Sequence, residues 1–102
     1  MKEIKELRAN FGGGDGRAIN RHSVRYYEWE GVGHFAIDRI LDTDPKCFEI
    51  LELLHDPREP VTQPYVPPTL KIDGKRYFGD GLSWRKAESV AKAAIIKVCE
   101  EQ

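Results

Sequence analysis

TLKIDGKRYFGDGLSWRKAESVAKAAIIKVCEE, residues 69–101, opens on period-two alternation and closes on the helical period. Leu70 and Ile72 alternate with Lys71 and Asp73, and both residues of Asp73-Gly74 accept positive φ. Residues 70–73 and 75–78 are therefore expected to pair as a hairpin. Gly79-Asp80-Gly81 then permits a sharp change of direction, and the Ser83 hydroxyl can accept a hydrogen bond from a free N–H of a first helical turn. Beyond that cap Ala87, Val90, Ala91, Ala94, Ile95 and Val98 recur at steps of three and four, while Arg85, Lys86, Glu88, Lys92 and Lys97 fall mostly elsewhere. Three of the six apolar positions are alanine, so this helix is expected to lie close on its support.

These residues resemble the closing half of the double-stranded-RNA-binding domain family. That half reads strand, Asp-Gly-Lys turn, aromatic strand, then Gly-x-Gly-x-Ser leading into an alanine-rich helix. Here the matching residues are Ile72, Asp73, Gly74, Lys75, Tyr77, Gly79, Gly81, Ser83, Ala87, Ala91 and Ala94, within a stretch, residues 69–101, that is about a third of the chain. At the first, second and fifth positions after the serine, where the family places lysines that reach phosphates, this chain has Trp84, Arg85 and Glu88.

The remaining chain is that of one ordinary domain. Its 102 residues, 40% of them hydrophobic, allow a real but modest core. Met1 is followed by Lys2, Glu3, Lys5 and Glu6, unlike a signal peptide, and no apolar run is long enough to span a bilayer. An intracellular location, cytoplasm or nucleus, without membrane association is expected. Cys47 and Cys99 form no CxxC pair, so buried thiols in a reducing compartment are the default. With His22, His34 and His55 they have no metal-ligand spacing, and neither metal nor cofactor is expected.

The net charge of −1 is unevenly spread. Residues 28–59 hold three basic and nine acidic residues, whereas residues 60–97 hold seven basic against three acidic. The closing part is locally basic, which is what matters within a Debye length, about 8 Å at physiological salt.

Residues 2–10 are expected to form a short helix with Ile4 and Leu7 on one side, ended by Gly12-Gly13-Gly14. That glycine run lacks the Gly-Lys-Ser/Thr ending of a phosphate loop and reads as a linker. Arg17, Arg21, His22 and Arg25 follow as a sparse basic cluster. Residues 23–30, SVRYYEWE, alternate as a strand whose Tyr26, Tyr27 and Trp29 suit core packing. Residues 35–41 fit either a return strand or a helical turn. Thr43-Asp44-Pro45 reads as a helix start, giving a helix over 46–55 with Cys47, Ile50, Leu51 and Leu54 buried, joined by Phe48 and Leu53, and Glu49, Glu52 and Asp56 outside. Pro57 ends it, and the proline-rich run beyond permits at best an edge strand at 61–66.

The expectation is thus an α+β domain with a small antiparallel sheet of about three strands, helices on one face and a long C-terminal helix, as in the double-stranded-RNA-binding domain. Two placements of its first half stay open. Either residues 1–44 are an N-terminal extension, or residues 31–68 are an insertion and residues 2–10 and 23–30 supply the first helix and strand. The resemblance implies a double-stranded-RNA-binding module of a larger RNA-processing or RNA-sensing protein. Arg85, Lys86 and Lys92 would meet phosphates, supported by Lys75 and Arg76 in the hairpin turn. The alternative is a module of the same fold serving as a protein-docking or dimerisation surface, with Trp84 as anchor. No Ser/His/Asp set, nucleotide loop or ligand cluster points to an enzyme.

Overall fold

The computed structural model describes residues 1–11, 21–41, 46–59, 69–78 and 83–100; within 69–78 it describes the backbone and, among side chains, Tyr77 alone. The architecture is α+β: an antiparallel sheet with one long C-terminal helix among the described residues. The strands are β1 (Lys2–Glu3), β2 (Ala9–Phe11), β3 (His22–Trp29), β4 (Gly33–Ile40), β5 (Cys47–Leu53) and β6 (Thr69–Phe78), followed by helix α1 (Trp84–Glu100). β3, β4, β5 and β6 neighbour one another in chain order. β1 and β2 share the outer edge of β3. The sheet is therefore five strands wide rather than about three.

The expected strand at 23–30 is β3, and its return partner is β4, so residues 35–40 of the ambiguous segment 35–41 are strand. Gly31 takes φ 78° in the connection, where Val32 N–H donates to the Trp29 carbonyl at 2.9 Å; positive φ in a short hairpin loop suits glycine.

Three other expectations are corrected. Residues 2–10 form no helix. β1, a single 3-10 turn at Lys5–Leu7 and β2 run along β3 instead, and Ile4 is buried with its N–H donating to the Tyr26 carbonyl at 2.8 Å. Nine residues are too few for a stable isolated helix, and the edge of β3 offers backbone partners for both flanks. Residues 46–55 likewise contain strand β5. β5 is central, with β4 on one side and β6 on the other. Phe48 and Ile50 pack under α1, Cys47 is also buried, and Leu51 and Leu53 join a second cluster with Val24 and Ala36. A strand buried on both faces places apolar residues at both parities, which over seven residues imitates a helical stripe. Thr43, Asp44 and Pro45, the expected helix start, lie outside the described residues, as do 61–66.

The third correction concerns the hairpin. Residues 69–78 are one strand pairing with β5, not two strands pairing with each other. The register runs Glu49↔Arg76 and then Leu51↔Lys71, so only Ile50 stands opposite the four residues 72–75. Asp73-Gly74 lies in this irregularity, the kind of break in a ladder that glycine tolerates.

The expected helix at Ser83 is present. Lys86 N–H donates to Ser83 Oγ at 3.2 Å and Ala87 N–H to the Ser83 carbonyl at 3.0 Å. Ala87, Ala91 and Ile95 are fully buried against Tyr27, Phe35, Ile37, Phe48 and Ile50, with Val90 and Ala94 half-buried at the margin. Methyl side chains at 87 and 91 let the helix backbone approach the large side chains of β3, β4 and β5. Across the sheet Tyr77 stacks on Phe48, ring centroids 5.1 Å apart and planes 14° apart.

Candidate nucleic-acid interface

The first turn of α1 carries no acidic residue, and its Ser83 cap fixes the direction in which Trp84, Arg85 and Lys86 leave the helix. Trp84 turns inward. It is half-buried and packs against the core cluster, while Arg85, Lys86 and Lys92 are exposed. Arg85 and Lys92 lie seven residues apart, two helical turns and about 10 Å along one side of the helix. Lys86 stands on the adjoining stripe. Among the described residues none of these three cations has a carboxylate within ion-pair distance.

Beneath Trp84 the sheet presents two further cations. The Arg25 guanidinium carbon lies 4.2 Å from the Trp84 ring centroid and that of Arg39 lies 5.1 Å from it. Arg25 is on β3 opposite Ile37, and Arg39 is on β4 opposite Ser23. The alternation of strands therefore puts both on the helix-covered face as diagonal neighbours. Both are half-buried. Cation–π attraction holds each guanidinium to the indole.

Glu88 is engaged within the fold. Tyr27, two residues after Arg25 on β3, donates its hydroxyl to Glu88 Oε1 at 2.8 Å. Burial above all, with the Glu88 carboxylate beside it, pushes the Tyr27 hydroxyl far above the ordinary tyrosine value, so it remains a donor. The acid at the fifth position after Ser83 thus anchors α1 to the sheet.

The opposite end of β3 is electrostatically closed. Arg58 donates to both oxygens of Asp56 at 2.9 Å and to Glu28 Oε2 at 2.7 Å, and the His34 ring nitrogen is 3.7 Å from Asp56 Oδ2. The Arg58 side chain and its backbone N–H hold the Asp56 carboxyl down at about 2. An open hollow beside this cluster, lined in part by Lys2, Glu28, Trp29 and His34, lies away from Trp84. A second arginine pair is closed in the same way: Arg8 donates to both oxygens of Glu3 at 2.6 and 2.8 Å, which lowers the Glu3 carboxyl. Elsewhere on the sheet His22 Nδ1 lies 2.8 Å from Asp38 Oδ1.

The structure brings Arg85, Lys86 and Lys92 onto the exposed side of α1. Lys75 and Arg76 belong to β6 rather than to a hairpin turn, and their side chains lie outside the described residues. Arg39 was not singled out by the sequence, and Arg25 only as one member of a loose cluster. Their meeting at Trp84 depends on the β3–β4 register, though the one signal available was an alternating strand with arginine on the same parity as Tyr27. Cys47 is buried and Cys99 exposed, and the two form no disulfide with each other. Among the described residues no group of three or more His, Cys, Asp or Glu is arranged to hold a metal ion, and no helix is long and apolar enough to cross a membrane.

No protein-family model, no curated protein and no solved structure matches this chain. The resemblance to the double-stranded-RNA-binding domain therefore rests on its own residues alone.

Proposed function

We propose that this protein is an RNA-binding module that holds double-stranded RNA by its phosphates, acting within a larger RNA-processing or RNA-sensing protein. The observation that carries this reading is the exposed side of α1, where Arg85, Lys86 and Lys92 project without carboxylate partners among the described residues from a serine-capped helix that lacks acids in its first turn. Lysine and arginine so placed neutralise phosphates and carry affinity without reading sequence. The Ser83 cap and alanine-lined helix are the parts of the double-stranded-RNA-binding pattern that support the duplex as ligand. The five-strand sheet and the absence of the Asp-Gly hairpin do not contribute to it. Trp84 packs within its own chain, which favours RNA over the docking-surface alternative.

The test is fluorescence anisotropy with a labelled RNA duplex of roughly 16 base pairs, the span of such a module, beside the same DNA duplex. Salt-sensitive binding that prefers RNA is expected. Replacing Arg85 and Lys86 together by alanine should reduce the slope of log affinity against log salt by about 2. Both side chains are exposed, so stability should stay within about 0.5 kcal/mol of the parent. Absence of binding even at low salt overturns the reading and returns the domain to protein docking.

A further inference from the structure

We propose that Arg25 and Arg39, held on the Trp84 ring, form a phosphate-binding fork on the sheet beside the start of α1. The inference rests on the RNA-binding reading for its natural ligand and extends that surface from the helix onto β3 and β4.

Both guanidinium carbons lie within about 5 Å of one ring centroid, at 4.2 and 5.1 Å. Two like charges so close to the same ring lie about a Debye length apart or less and repel one another. Arg8 and Arg58 relieve their charge on Glu3, Asp56 and Glu28. Among the described residues neither Arg25 nor Arg39 has a carboxylate within ion-pair distance. The indole offsets part of the cost, yet a ring face accepts no N–H hydrogen bond of full strength, and the guanidinium donors keep unspent capacity. An anion placed between them would take up both charges at once. Phosphate suits this site because its oxygens accept the planar, two-pronged donation that arginine offers.

Trp84 is the positioning residue. Its indole restrains two cations on the sheet. Half-burial and stacking reduce the rotamer freedom each arginine must lose on binding. Arg85 and Lys86 follow directly in the chain, so the helix cations begin at the same end of α1 as the fork.

The experiment compares the full chain with R25Q/R39Q, in which glutamine keeps polar bulk but removes the charge. With the 16-base-pair RNA duplex, the variant should lose about 2 from the salt slope. Between roughly 50 and 200 mM salt its affinity should then fall about tenfold less than the parent's. Thermal unfolding is recorded alongside, because a merely structural role would shift melting and leave the slope alone. In a second arm, inorganic tripolyphosphate is titrated into the parent protein while the arginine Nε–H resonances are followed by NMR. Shifts confined to Arg25 and Arg39 and their neighbours support the fork. RNA binding by the parent with an unchanged slope in R25Q/R39Q overturns the fork and leaves the RNA reading standing. Failure to bind RNA together with tripolyphosphate shifts at Arg25 and Arg39 retains the phosphate site and removes the RNA reading. If neither ligand engages these residues, both fall.

Discussion

Arginines at the two ends of β3 meet opposite surroundings. At the Glu28 end, Arg58 is exposed but donates to the carboxylates of both Asp56 and Glu28. At the Arg25 end, Arg25 and Arg39 lie against an indole, and Glu3 acts on Arg25 only from beyond ion-pair distance. Both arrangements restrain a long side chain, but only the first neutralises it. An arginine saturated by carboxylates adds nothing to phosphate affinity without first breaking an ion pair, whereas one held by a ring stays charged and available. The uneven charge of the chain is thus re-sorted by the fold. Arg39 and Arg58 both come from the acidic middle of the sequence, but the fold pairs Arg58 with that segment's carboxylates and carries Arg39 under the basic helix.

The largest expected effect comes from removing the ring. Trp84→Ala should destabilise the fold by about 1–3 kcal/mol in urea unfolding, below the 3–5 kcal/mol of a fully buried aromatic because Trp84 is half-buried. It should also weaken RNA binding while leaving the salt slope near that of the parent, since both arginines keep their charge. Unchanged stability would mean that the indole does not pack against the core, and the contrast between the two ends would lose its basis.

Tyr27→Phe probes the neighbouring tether. It deletes the hydroxyl that donates to Glu88 and leaves a half-buried carboxylate without that donor. A cost of about 1–2 kcal/mol is expected. A double-mutant cycle with Glu88→Ala, which removes the acceptor, should show a coupling of at least about 0.5 kcal/mol. A cycle without coupling would release Glu88 to face the ligand surface, where it would oppose phosphate binding.

The parts of this molecule that were legible from residues are those whose signal is local. Ser83 followed by apolar steps of three and four specifies α1, and the alternation around Tyr26 and Tyr27 specifies β3. β5 was not legible, because Phe48 and Ile50 face the helix while Leu51 and Leu53 face the other side, and one strand buried twice has no period of its own. Asp73-Gly74 carried a strong turn signal that the ladder with β5 overrode as an irregularity opposite Ile50. At the candidate site, exposed Arg85 and Lys86 could be read from the helix period. The fork could not. Arg25 and Arg39 are fourteen residues apart and meet only through the register of β3 on β4, and nothing local reveals that Glu88 turns inward to Tyr27.

The smallest effect should follow from Arg58→Ala, and it is seen in titration more clearly than in stability at neutral pH. Asp56 is held at about 2, below its ordinary 3.8, chiefly by hydrogen bonds from the Arg58 side chain and backbone N–H. A carboxyl with a depressed folded-state value contributes stability above its ordinary value and loses that contribution as the pH falls through the folded one. The wild type and Arg58→Ala should therefore differ most above about pH 4 and converge as the pH approaches 2. Carbon-detected NMR of the Asp56 carboxyl should show its midpoint rising toward 3.8 in the variant, with the backbone N–H of residue 58 retaining part of the depression. RNA affinity at neutral pH should not fall, because Arg58 is already occupied. An Asp56 that titrates near 3.8 in the wild type would show that this pair does not form in solution and would leave Glu28 as the carboxylate partner of Arg58.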